Sequence, residues 1–237
     1  MMILQVESIE VFIKASRILR NVSLEVGEGE VVCLIGRNGA GKTTTLRSIM
    51  GYLRPEKGRI LFRGQNITNK KPFEIGRMGI GHAPEDSGIF PDLTIHENIE
   101  ISTWNRQTHR SVSERLALAY DVFPVLKKYK ARKGTQVSGG ERKMLSIARS
   151  LALDPELFIL DEPFEGLAPA IVAEVANSIQ EITKMGPSIV IAESNIYHVP
   201  DFADRLYVIE RGEIIFSGKL DEVARERDVL RIIAGTT

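Results

Sequence analysis

Eight consecutive residues, Gly36-Arg37-Asn38-Gly39-Ala40-Gly41-Lys42-Thr43, fit the pattern G-x-x-x-x-G-K-[ST]. Glycines at these spacings let a backbone wrap closely around a polyphosphate and aim several N–H groups inward. The residues that follow have helical periodicity, so the same anion meets a helix N-terminus and the positive end of its dipole. Lys42 supplies a cation for the β- and γ-phosphates, and the Thr43 hydroxyl is a ligand for Mg²⁺. With an apolar strand before it and a helix after it, this segment reads as a nucleotide-phosphate site rather than a chance glycine-rich turn. Far downstream, Leu157-Phe158-Ile159-Leu160-Asp161-Glu162-Pro163 is an apolar run that ends in two carboxylates. A buried strand ending in Asp delivers a carboxylate to the edge of an α/β sheet where ligands bind. Asp161 there holds Mg²⁺ through its water shell, and Glu162 polarises an attacking water. Taken alone, such a pair is more often a polar turn, and the phosphate loop is what gives it meaning. A third element, Val137-Ser138-Gly139-Gly140-Glu141, opens a helix with apolar Met144, Leu145, Ile147 and Ala148. Hydroxyl, open backbone N–H groups and helix dipole together make a second anion site. One nucleotide per chain needs only one phosphate loop, so this site points to the nucleotide of another subunit. Its plainer reading is an ordinary N-cap at Ser138.

The elements that must position these groups are visible in the apolar pattern. Leu4, Val6, Ile9, Val11 and Ile13, then Val22, Leu24 and Val26, alternate with polar residues, with GEGE (27–30) as a turn, which predicts half-buried antiparallel strands. Val31 to Ile35 is a continuous apolar run of the kind covered on both faces. Strand, glycine-rich turn and helix begin a βαβ unit. Leu157–Leu160 and Ile189–Ala192 are two further buried strands, each preceded by a predicted helix, Glu141–Ala152 and Ala170–Met185. Between the early and late parts of the chain, residues 85–136 are more polar and mostly helical in pattern. Leu206–Ile209 and Ile214–Phe216 read as a hairpin with Gly212 in its turn, and an amphipathic helix is predicted over Asp221–Ala234.

Composition narrows the classes. The 237 residues carry 31 Lys plus Arg against 31 Asp plus Glu, so there is no bulk basic excess for coating nucleic acid, and no nucleic-acid partner is expected. A hydrophobic fraction of 43% with 26% charged residues argues against wholesale disorder. The single cysteine, Cys33, excludes a disulfide framework or a multi-cysteine metal site and reads as a small buried residue. No apolar stretch approaches the ~20 residues that span a bilayer, and MMILQVESIE lacks the basic and apolar regions of a signal peptide. A soluble, intracellular chain is expected.

In their order, GRNGAGKT, VSGGE and LFILDEP, the three motifs resemble those of the ATP-binding subunit of the ABC transporter family, over nearly the whole chain. VSGGE is similar to the family's signature, usually written LSGGQ. The resemblance implies an α/β fold: a P-loop NTPase core with a mostly parallel sheet, an N-terminal antiparallel β-subdomain and an inserted helical subdomain. It implies one ATP-binding domain over 1–237, with the helical subdomain at about 86–150. ATP and Mg²⁺ are the implied cofactors, held by Gly36, Asn38, Gly39, Ala40, Gly41, Lys42, Thr43 and Thr44, with Thr43, Asp161 and Glu85 at the metal. Glu162 and Lys42 carry catalysis. Ser138, Gly139 and Gly140 close over the ATP of a second ATPase subunit in a head-to-tail dimer of like or related chains. Integral membrane permease subunits are the direct partners, an extracytoplasmic solute-binding protein is an indirect one, and the chain sits peripherally at the cytoplasmic face of the cell membrane. Two spans, HAPEDSGIFPDLTIHENI and DEPFEGLAPAIV, look like the ATPases of branched-chain (hydrophobic) amino-acid importers. Phe90, Pro91, Leu93 and Trp104 are candidates for the permease-facing surface, or equally for a small helical core.

Four positions depart from the commonest family residues. Glu85 stands where a glutamine usually contacts Mg²⁺ and water, which adds a negative charge. Ala168 replaces an aspartate of the loop after Glu162. Ser194 takes the place of the histidine that touches the γ-phosphate; a serine donates one hydrogen bond and carries no imidazolium charge. The importer branch frequently has a non-histidine there, and His198, one helical turn on, is a possible substitute. At the adenine end the expected aromatic aligns with Ile13, leaving Phe12 to stack on the base or simply to pack. His82, His96 and His109 read as structural or exposed. Two other readings stay open: a soluble ABC ATPase acting on ribosomes or DNA, and a module that binds ATP without hydrolysing it.

Overall fold

The computed structural model describes residues 1–223 and 225–234. The chain forms two compact units, Met1–Ile75 with Ser188–Thr237, and Gly76–Pro187. The first opens with β1 (Met2–Ile13) and β2 (Ser16–Gly27), followed by β3 (Val31–Ile35), α1 (Lys42–Ile49), β4 (Lys57–Phe62), β5 (Gln65–Asn66) and α2 (Pro72–Met78), which runs into the second unit. β2, β1, β4 and β5 lie in that order in an antiparallel sheet, with Leu4 opposite Val26 and Val6 opposite Leu24. The apolar phase of β1 moves from even positions (Leu4, Val6) to odd ones (Ile9, Val11), and all four side chains are buried. A bulge makes this possible. The register shifts between Val6 and Ile9, and Ser8 between them takes φ +51° and donates its N–H to Ser23 Oγ at 2.9 Å.

The second unit contains β6 (Ile80–Ala83), α3 (Ile95–Thr103), α4 (Val112–Val122), α5 (Pro124–Lys128), α6 (Gly139–Ala152), β7 (Leu157–Asp161) and α7 (Pro169–Thr183). β6 and β7 pair in parallel, Ile80 with Leu157 and Ala83 with Leu160. The helical pattern of SVSERLALAYDVFPVLKKY is divided between α4 and α5, since Pro124 cannot donate to the preceding turn and starts a new helix instead. Thr94–Glu97, Ser111–Glu114 and Ser138–Glu141 are reciprocal capping boxes that fix the starts of α3, α4 and α6. α6 buries Met144, Leu145, Ile147, Ala148, Leu151 and Ala152 and packs on α3 and α4. Within this layer the buried Arg115 donates to the carbonyls of Thr103 (3.1 Å), Arg106 (3.2 Å) and Ala152 (3.4 Å).

The chain returns to the first unit with β8 (Ser188–Glu193), β9 (Arg205–Glu210), β10 (Glu213–Gly218), α8 (Leu220–Val223) and α9 (Arg227–Ala234). β3 is flanked by β8 and β9, parallel to both, and β10 adds antiparallel to β9. VVCLI is buried at every residue, as a strand covered on both faces requires. The β9–β10 connection is a two-residue turn, Arg211 (φ +49°) and Gly212 (φ +80°), whose paired positive φ values match the twist of the strands. The fold is thus α/β, with an antiparallel N-terminal β-subdomain, a mostly parallel set of core strands and covering helices. One expectation needs correction. In place of a single helix over Asp221–Ala234, the described residues form α8 and α9, divided at Arg225 and Glu226. Val223, Val229 and Ile233 are all buried; Val223 and Val229 would lie about 120° apart on one continuous helix, at the edges of a single apolar face.

Candidate functional site

The residues singled out by sequence fall into two groups, one in each unit. In the first unit, the loop from Gly36 to Gly41 links β3 to α1. Its base is fixed by backbone: the Gly36 N–H donates to Glu193 O at the end of β8 (3.2 Å), and Ala40 N to Arg37 O (2.9 Å). Gly36 has no alternative, because a Cβ there would lie 2.3 Å from Ile209 O. Gly39 (φ +83°) and Gly41 (φ +119°) supply the left-handed turns that wrap the loop, and Gly41 is the N-cap residue of α1. Lys42 is buried and bends back over the loop, donating from Nζ to Gly36 O at 2.7 Å and Arg37 O at 3.4 Å. Arg37, Asn38 and Gly39 form the exposed rim, and Thr43 and Thr44 are half-buried in the first turn of α1. An ammonium held inside a loop of glycine backbone, next to a helix start, fits a polyphosphate.

The β9–β10 turn supports this loop: Gly212 N donates to Ala40 O (2.8 Å), and Arg20 N to Gly212 O (2.7 Å). A Cβ at Gly212 would sit 1.9 Å from Ile18 O. Sequence marks Gly212 only as a turn residue, since nothing local shows what the turn touches. Ser194 follows β8 and is half-buried. His198 places Nδ1 3.1 Å from Oε2 of the fully buried Glu193, so this imidazole is engaged one residue before Ser194. Glu193 also acts on Cys33. Burial first, and this carboxylate second, push the thiol well above its ordinary value, which makes it unreactive. Phe12 is half-buried and Ile13 exposed at the tip of the β1–β2 hairpin.

In the second unit, β7 ends at Asp161, and Asp161 and Glu162 are both buried. Glu162 adopts φ +48°, a left-handed conformation that a non-glycine residue keeps only when its surroundings hold it there. Glu85 follows β6 and is exposed. Lys143 of α6 donates to both segments, to Glu85 O at 2.7 Å and Glu162 O at 2.8 Å. Sequence gives no sign of this lysine, which reads there as one polar residue on an amphipathic helix. Ser138 is the N-cap of α6, its Oγ accepting from Glu141 N at 3.2 Å, and with Gly139 it is exposed. Both line an open groove of about 570 Å³ with Gly140, Leu167, Ala168 and Ile171.

Phe90, Pro91 and Trp104 are exposed and Leu93 is half-buried. The buried Asn98 fixes the 90–94 loop, accepting from Phe90 N (2.9 Å) and donating to the carbonyls of Phe90 (3.0 Å), Leu93 (3.1 Å) and Thr94 (2.9 Å). His96 stacks beside Tyr120 with Nδ1 2.8 Å from its hydroxyl, a structural role, and His109 is exposed. Among the described residues no group of three or more His, Cys, Asp or Glu could hold a metal by itself.

The family model described as ABC transporter matches residues 19–165. The chain belongs to the ABC transporter family. The lipopolysaccharide export system ATP-binding protein LptB of Haemophilus influenzae is 32% identical over 240 residues, covering 99% of this chain and 98% of that protein. The high-affinity branched-chain amino acid transport ATP-binding protein BraG of Pseudomonas aeruginosa is 36% identical over 200 residues, covering 83% and 84%. An ATP-binding cassette of an ABC transporter, solved in its ADP conformation, superposes with a TM-score of 0.83 at 30% identity and covers 99% of both chains. This chain is therefore an ABC transporter ATPase subunit, a nucleotide-binding protein. A soluble role on ribosomes or DNA finds no support in these relatives. Among the described residues no helix is long and apolar enough to cross a membrane.

Proposed function

We propose that this ABC subunit hydrolyses ATP with Mg²⁺ to energise import of branched-chain or other hydrophobic amino acids. Its two units act as one ATP-binding domain over 1–237, with the helical subdomain at about 86–150. The chain works peripherally at the cytoplasmic face of the cell membrane, on integral permease subunits, with a second ATPase subunit and a solute-binding protein outside. Carrying this reading is the resemblance of HAPEDSGIFPDLTIHENI and DEPFEGLAPAIV to that importer branch, supported by the 36% identity with BraG. The Asn98-clamped loop and Trp104 offer exposed apolar residues to a permease.

The residue roles follow from chemistry. The loop shaped by Gly36 and Ala40 binds the phosphates with the backbone N–H groups of Asn38, Gly39 and Gly41 and with Lys42, Thr43 and Thr44, and Phe12 packs against the base. Bound Mg²⁺, held by Thr43, Asp161 and Glu85, supplies charge neutralisation. Glu162 orients a water and takes its proton, Lys42 offsets charge developing on the γ-phosphate, and Ser194 donates a single hydrogen bond. Ser138, Gly139 and Gly140 close over the nucleotide of the second subunit.

Full-length similarity to LptB favours a second reading, an exporter subunit. Affinity purification from native membranes separates the two. Two polytopic permease chains whose loss abolishes leucine uptake are expected, whereas co-purifying lipopolysaccharide-export components, with leucine uptake unchanged, would contradict the import reading.

A further inference from the structure

Lys143 lies in the second turn of α6, five residues after the N-cap Ser138. An ammonium has three donors and no acceptor. Here it donates to backbone carbonyls in two separate segments, Glu85 O after β6 (2.7 Å) and Glu162 O after β7 (2.8 Å). Because β6 and β7 are parallel partners with Ala83 opposite Leu160, the two segments leave the same edge of the pair. One side chain therefore ties both exits to α6.

The tie falls on a strained residue. With φ at +48°, Glu162 points its side chain in a direction that the ordinary strand conformation would not give. Its carbonyl accepts from Lys143 and, at 3.4 Å, from Glu165 N. Further along α6, Arg149 donates to Ser87 O (3.0 Å) and Gly88 O (2.5 Å), and Ser150 Oγ to His82 O (2.6 Å). These bonds hold the rest of the 82–88 segment, and Lys143 joins it to the backbone of Glu162. Bonds from a part-exposed lysine are partly offset by the hydration it gives up, so their main consequence lies in orientation.

We propose that Lys143 is a positioning residue for hydrolysis: by holding Glu162 O and Glu85 O it sets the direction of the Glu162 carboxylate and makes the two segments move with α6. The proposal rests on the reading of Glu162 as the water-orienting carboxylate. Its test is steady-state ATP hydrolysis by the full chain, comparing K143M, K143R and E162Q with the wild type. K143M should lower kcat about 10- to 30-fold with KM for ATP within about twofold, and K143R should recover to within about threefold of wild type. The melting temperature of K143M should stay within about 3 °C of wild type. Wild-type kcat in K143M while E162Q is inactive overturns this proposal and leaves the Glu162 reading standing. Wild-type turnover in E162Q overturns both. A K143M loss shared between kcat and KM with a fall in melting temperature, or an equal loss in K143R, also overturns it, because general disorder of the helix would do the same. If K143M does not fold, K143Q, which keeps one donor, is held to the same kcat and KM criteria.

Discussion

The two units hold their candidate residues by different means. In the first, backbone bonds fix the loop in place, and Lys42 Nζ adds bonds to Gly36 O and Arg37 O. Gly36 N bonds Glu193 O, Gly212 N bonds Ala40 O, and β3 is locked between β8 and β9. In the second, side chains hold backbone: Lys143 on Glu85 and Glu162, Arg149 on Ser87 and Gly88, Asn98 on the 90–94 loop and Arg115 on the carbonyls of Thr103, Arg106 and Ala152. A phosphate loop built from main chain has few adjustable parts, and it suits a ligand whose geometry is fixed. Segments held by single side chains can be re-set one bond at a time, which suits residues that must be aimed.

This contrast can be broken from either side. In the backbone-held unit the largest effect is expected at Gly212. G212A forces a Cβ to 1.9 Å from Ile18 O at φ +80°, and should cost about 3 kcal/mol or more, lowering the melting temperature by roughly 6–12 °C. A melting temperature equal to wild type would show that the turn is free to shift. In the side-chain-held unit, R115M keeps the stem but strips a charged donor from three carbonyls. A smaller loss of about 2 kcal/mol, roughly 4–8 °C, is expected by the same thermal measurement. If R115M proves the more damaging of the two, the division between main-chain and side-chain support is wrong.

How much of this could be read from sequence follows the same division. The placement of the 36–41 loop, of Asp161 and of Ser138 is legible because each sits in a local run beside a strand end or helix start. The buried strands were legible too, since VVCLI and LFIL are continuous apolar runs. Contacts set by topology were not. Lys143 matters only because α6 passes the exits of β6 and β7, and Gly212 only because the β9–β10 turn reaches Ala40. The bulge at Ser8 shows in sequence as a skipped beat in the alternation, visible once its cause is known. The division of the C-terminal helix was hidden because each half is amphipathic alone.

The central claim is that loop and carboxylate serve one reaction, Lys42 and its loop in binding, Glu162 in turnover. Nucleotide binding and Mg²⁺-dependent phosphate release, measured on the same preparations of wild type and E162Q, test it most directly. The account predicts ATP affinity within about threefold of wild type and phosphate release reduced at least about 100-fold. Phosphate release at the wild-type rate in E162Q would contradict it.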